Sequence, residues 1–82
     1  MSYQEHEISF EDLQKQILLL DSDEGIRVDN INDKIFVNKV AQRYTVLVSK
    51  NTNDKFFYFY EPVQVLDFIK NNTDNKSRFF AY

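Results

Sequence analysis

Phe56-Phe57-Tyr58-Phe59-Tyr60 sets five aromatic side chains in a row. In a chain of 82 residues such a run is hard to place except on a β-strand, with both faces covered or one face in use. We therefore expect the domain to be built about this strand. The segment before it supports that reading. Tyr44-Thr45-Val46-Leu47-Val48-Ser49 has strong strand propensity, and Asn51-Thr52-Asn53-Asp54 supplies four turn-forming residues between the two patterns. A loop closed by Lys50 opposite Lys55 sets Val48 against Phe57 and Val46 against Phe59. It sets Ser49 against Phe56, Leu47 against Tyr58 and Thr45 against Tyr60. The period of two puts these sets on opposite faces.

The rest of the chain reads as two helices and two further strands. Ser9 is placed to cap a helix, with Glu11 and Asp12 in its first turn and Ile8 and Leu13 set as a hydrophobic staple. Phe10, Leu13, Ile17 and Leu20 draw one apolar stripe, which Leu18 and Leu19 widen, so a helix is expected over 10–20. Asp21-Ser22-Asp23-Glu24-Gly25 ends it, and the single glycine is expected to take a left-handed turn. Ile26 and Val28 alternate with polar residues, which predicts a strand over 26–29, and Asn30–Asp33 a turn. Ile35-Phe36-Val37 predicts another strand, with 38–43 open between loop, bulge and continuation. Glu61-Pro62 starts a second helix, whose Pro62, Val65, Leu66 and Ile69 share a face with Phe68 beside them.

The order is α-β-β-β-β-α plus an aromatic tail. It predicts one α+β domain over 1–82: a two-layer sandwich of an antiparallel meander of three to four strands with two helices on one face. Residues 1–7 read as a loose polar lead. The tail, 76–82, could add an edge strand, pack on the core or dock on a partner. The face with Val46, Val48, Phe57 and Phe59 is assigned to the core, which leaves Leu47, Phe56, Tyr58 and Tyr60 on the other.

The chemistry-bearing residues are sparse. There is no cysteine, the one histidine, His6, lies in the lead, and no serine has a His–Asp pattern near it. The expectation is a protein that is not an enzyme, with no cofactor. Asp21-Ser22-Asp23-Glu24-Gly25 starts like a calcium loop, but its glycine comes one residue early and Asn32 stands where a bidentate Glu is needed. A solvated turn is the expected reading, with no metal.

No apolar leader follows Met1, and the longest apolar run, Ile17–Leu20, is far short of the roughly 20 residues that span a bilayer. The expectation is a cytoplasmic protein with no membrane partner. Charge is uneven: residues 1–33 hold nine acidic and two basic side chains, and 34–82 hold four acidic and eight basic.

Lys55–Tyr60 resembles the aromatic strand of RNA-recognition folds, where rings stack on bases, and the α-β-β-β-α order resembles a double-stranded-RNA-binding domain. The small residues that admit bases are absent from the strand, and the second helix has no basic cluster. A nucleic-acid-binding module using Lys50, Lys55, Arg43 and Arg78 with the tyrosines is the alternative expectation. The leading one is a small protein-binding regulator or inhibitor. It would dock through Leu47, Phe56, Tyr58 and Tyr60 on another protein or on a second copy of itself. Asp21, Asp23 and Glu24 would steer it to a basic partner. In size and acidity it is like small inhibitors carried by phages and mobile elements.

Overall fold

A computed structural model describes residues 5–82. Six strands form one antiparallel sheet: β1 (His6–Ile8), β2 (Gly25–Asp29), β3 (Lys34–Val40), β4 (Arg43–Lys50), β5 (Asn53–Phe59) and β6 (Arg78–Ala81). Helices α1 (Phe10–Leu18) and α2 (Pro62–Asn71) pack together on one side of it. The spatial order is β1-β6-β2-β3-β4-β5. The α+β class and the layer arrangement follow the sequence pattern, but the sheet is wider than the expected three to four strands.

Both ends of the chain account for the extra width. Part of the expected loose lead is strand β1, and the tail is strand β6, which is no edge: it pairs with β1 on one side and β2 on the other. Residues 1–4 of the lead lie outside the described residues. The physical reason is alternation. Phe79 and Ala81 are buried while Arg78 and Phe80 point the other way, so the tail offers β2 an apolar row on the helix side.

The helix starts follow their caps. The Asp12 N–H donates to Ser9 Oγ at 3.2 Å, and the Gln64 side-chain oxygen accepts from the Glu61 N–H at 3.2 Å. Helix α1 stops at Leu18, two residues short of the expected end. Its last turn tightens as the Leu20 N–H bonds the Ile17 carbonyl, which turns Leu20 inward and leaves Leu18 and Leu19 exposed rather than widening the buried stripe.

Gly25 departs from its expected role. It has no positive φ; it begins β2 and exchanges two backbone hydrogen bonds with Tyr82, at 2.9 and 3.0 Å. Glycine there leaves room for the Tyr82 ring, since a Cβ would lie 2.5 Å from Tyr82 Cζ and the ring would have to shift. The left-handed positions are Ala41, at φ 57°, and Asn51, at φ 55°. Each starts a two-residue turn: Val40 pairs with Arg43, and Lys50 with Asn53.

That second turn corrects the expected register. Thr45 faces Tyr58, Val46 faces Phe57, Leu47 faces Phe56 and Val48 faces Lys55. The pairing slips by two residues from the expected one because the loop is two residues long, not four. An even slip keeps every side chain on its expected face.

The core is aliphatic. Leu13, Ile17, Val65 and Ile69 from the helices meet Ile26, Val28, Ile35, Val37 and Val46 from the sheet, all sealed from solvent. Full burial of each such side chain contributes about 1.5–3 kcal/mol. The aromatic run is therefore not the centre of the fold: it lies on edge strand β5. Phe57 and Phe59 do face the helices, but only half-buried, each against Phe68 with ring centroids 4.8 and 5.6 Å away. Tyr44 and Phe79 are the aromatic residues that enter the core, and the Tyr44 hydroxyl donates to the Ile17 carbonyl at 3.3 Å.

Candidate interaction face

The face of the sheet away from the helices carries a row of side chains that crosses all six strands. Register aligns Glu7, Phe80, Arg27, Phe36, Leu47 and Phe56, in spatial order from β1 to β5. Four of the six are large and apolar, and neither helix covers them. Phe80, Phe36 and Leu47 are half-buried by their neighbours, while Phe56 at the edge is 57% exposed. Phe80 lies under two guanidinium groups, with Arg27 4.5 Å and Arg78 5.3 Å from its ring centroid. Such stacking holds a cation over the ring's negative face.

Polar rows flank this one. On one side run Arg78, Asp29, Lys34, Ser49 and Asp54. On the other, Gly25, Asn38, Thr45 and Tyr58 align, and the Arg43 guanidinium sits 4.6 Å from the Tyr58 ring. Charges at the β1–β6–β2 side neutralise one another. Arg27 bonds Asp29 at 2.9 Å and Glu5, and Arg78 bonds both Glu7 carboxylate oxygens, at 3.0 and 2.9 Å. The Arg78 hydrogen bonds hold the Glu7 carboxyl below its ordinary range, and Glu7 in turn raises Arg78. The uneven charge of the sequence is thus partly offset in space at one pair, where Glu7 from the acidic first third lies beside Arg78 from the basic end.

Four residues expected on this face fall into two groups. Leu47 and Phe56 are direct partners across β4 and β5, and Tyr58 is in the next row. Tyr60 lies past the end of β5, in the bend before α2, and is 69% exposed. Asp21, Asp23 and Glu24 form the turn between α1 and β2. The Asp21 N–H donates to the Glu24 carboxylate at 2.9 Å, and Asn38 Nδ2 donates to the Glu24 carbonyl at 3.4 Å. That turn stands at the same end of the sheet as Tyr58, but on the far side of β3 and β4. Among the described residues no group of three His, Asp or Glu side chains is placed to hold a metal ion.

Sequence reading missed Phe36, Arg27 and Phe80. Phe36 was visible in principle: it alternates with the buried Ile35 and Val37. Arg27 and Phe80 needed the pairing of β6 with β2, which no local pattern states. The basic residues of the alternative reading do not converge. Arg43 and Arg78 are on the open face, whereas Lys50 and Lys55 share the parity of Val48 and so project toward the helix side.

The helix side offers one apolar groove of its own. Gln14, Ile17 and Leu18 face Pro62, Val63 and Leu66 around a cavity of about 210 Å³. Among the described residues, no helix is long and apolar enough to cross a membrane. Comparison with protein-family models, with curated proteins and with solved structures finds no match to this chain.

Proposed function

We propose that this chain is a small non-catalytic protein-binding module, a regulator or inhibitor, that docks on another protein through the open face of its sheet. The observation that carries this reading is the uncovered row of Phe80, Phe36, Leu47 and Phe56, with Tyr58 beside it. A contiguous apolar patch rimmed by polar side chains is what interaction sites present, and ordinary monomer surfaces keep such patches small. Aromatic and Arg side chains are also the types enriched at interfaces, where Lys and Asp are depleted. The acidic turn of Asp21, Asp23 and Glu24 gives the same end of the sheet a charge that favours a basic partner and raises its rate of encounter at low salt.

The test uses the double variant Phe56→Ser/Tyr58→Ser beside the wild-type chain as bait in a quantitative pull-down, with thermal melting of both. Both side chains are more than half exposed, so the variant should melt within a few degrees of wild type. A partner recovered by wild type and lost by the variant supports the reading. Undiminished recovery, or a melting point lowered by many degrees, rules it out. A labelled RNA or DNA bound by the wild type, with affinity falling steeply as salt rises, would replace it with the nucleic-acid reading.

A further inference from the structure

The sheet is unfinished at β5. A two-residue hairpin closes on a hydrogen-bonded pair, and bonded and open pairs then alternate along the ladder. Lys50–Asn53 is that first pair, so Val48–Lys55, Val46–Phe57 and Tyr44–Phe59 are the bonded ones. Asp54, Phe56 and Tyr58 fall in the open pairs. Their N–H and C=O groups, two on each residue, point away from β4, where the sheet has no further strand among the described residues. None of these groups has another hydrogen-bond partner among the described residues.

Proteins usually blunt such an edge with a short strand, a proline, a bulge or an inward charge. The opposite edge follows the rule: β1 has 3 residues. Strand β5 has 7 residues in unbroken register with β4 and no proline; its one such device is Lys55, a charge on the helix side that is itself exposed to solvent.

We propose that β5 pairs with β5 of a second copy, antiparallel about a two-fold axis at Phe56, joining two sheets into one. Three registers bring the outward-pointing groups together. A two-fold axis at Lys55 sets two lysines opposite each other, which is repulsive. An axis at Phe57 leaves Asp54 opposite Tyr60, beyond the strand, so its groups go unpaired. The axis at Phe56 sets Phe56 against Phe56, Asp54 against Tyr58 and Lys55 against Phe57. Every outward group on both copies is then bonded and no like charges meet. This self-complementarity selects a second copy over an unrelated strand. The two open faces become continuous through the paired Phe56 rings. The pairing does not rest on the docking reading, since a dimer joined at its edge keeps both faces accessible.

Sedimentation and amide hydrogen exchange across a concentration series test it. The expected species shifts from 9.9 kDa to twice that mass as concentration rises. In the dimer the amides of Asp54, Phe56 and Tyr58 should exchange roughly tenfold or more slowly, while Phe57 is protected at every concentration. Asp54→Pro removes an outward N–H without breaking the bonds to β4 and without touching a ring. It should raise the dissociation constant roughly tenfold or more, and Asp54→Ala should leave it within about threefold. A monomer at every concentration overturns the proposal and leaves the edge to a strand of a different protein. So does a dimer whose Asp54, Phe56 and Tyr58 amides exchange as in the monomer, or an Asp54→Pro variant that dimerises as well as Asp54→Ala. If Asp54→Pro fails to fold, exchange in the wild-type dimer decides.

Discussion

The two faces of the sheet are built from the same strands by different residue types. Toward the helices, the fully buried positions 26, 28, 35, 37 and 46 are all Ile or Val, with Tyr44, Phe57, Phe59 and Phe79 at other positions of that side. Toward solvent, the intervening positions hold Phe36, Leu47, Phe56, Tyr58 and Phe80. β-Branched side chains are stiff and interdigitate at high density with helix side chains. Large rings on an open face fill no such lattice; they cover area, and Phe80 and Tyr58 lie against Arg27, Arg78 and Arg43. One face is thus specified by packing and the other by what it can touch. The comparison teaches that abundance of aromatic residues is a poor guide to where the core lies.

The largest expected effect separates the faces at adjacent residues. Ile35→Ala should cost about 2–5 kcal/mol, since it empties a sealed site. Phe36→Ala removes more atoms but should cost only about 1 kcal/mol, since its ring is half in water already. Urea unfolding of the two variants measures this. Equal losses would mean that the open face is a second core.

A smaller effect probes a close approach on the open face, where the Tyr82 ring lies across Gly25. Gly25→Ala should cost about 1–2 kcal/mol, because the new Cβ drives the ring off the sheet. Adding Tyr82→Ala should recover part of that loss, and a double-mutant cycle should return a coupling of about 1 kcal/mol. Strict additivity would show that the ring does not sit there in solution.

The smallest effect is electrostatic. The Glu7 carboxyl is held below its ordinary value by Arg78, so the folded state binds its proton less readily than the unfolded state does. Its contribution is complete above the ordinary carboxyl range and is lost as pH falls through that range to the lower folded value. In Glu7→Gln the acid limb of melting temperature against pH should be slightly shallower, with no change in slope above about pH 6. An unchanged acid limb would remove the pair from any account of stability.

Much of this two-faced design was legible in the residues. The caps at Ser9 and Glu61-Pro62 are local chemistry, so both helix starts could be read. The faces of β4 and β5 could be read even though their register was misjudged, because parity survives a slip of two. The two turns were harder: Ala41 and Asn51 take left-handed conformations without glycine, and the lone glycine instead makes room for a ring. Strand β6 lies far along the chain from both its partners, β1 and β2; the pairing is accompanied by contacts such as Glu7 to Arg78, 71 residues distant. Patterns of period two or 3.6 carry no information at that range. The candidate face was legible as Leu47, Phe56 and Tyr58, and incomplete for the same reason.

The position of β6 also imposes an order in time. During synthesis His6–Ile8 are made about 71 residues before β6, their strand partner among the described residues. At about 5–20 residues per second that delay is roughly 4–14 s. Through it, β2, β3, β4 and β5 can assemble as consecutive hairpins, while β2 keeps one flank open and Ile8 has nowhere to go. The sheet is closed by a strand that enters between β1 and β2, so before it arrives both flanks of β1, one of β2 and one of β5 lack a partner, four in all, where the finished sheet has two open flanks among the described residues.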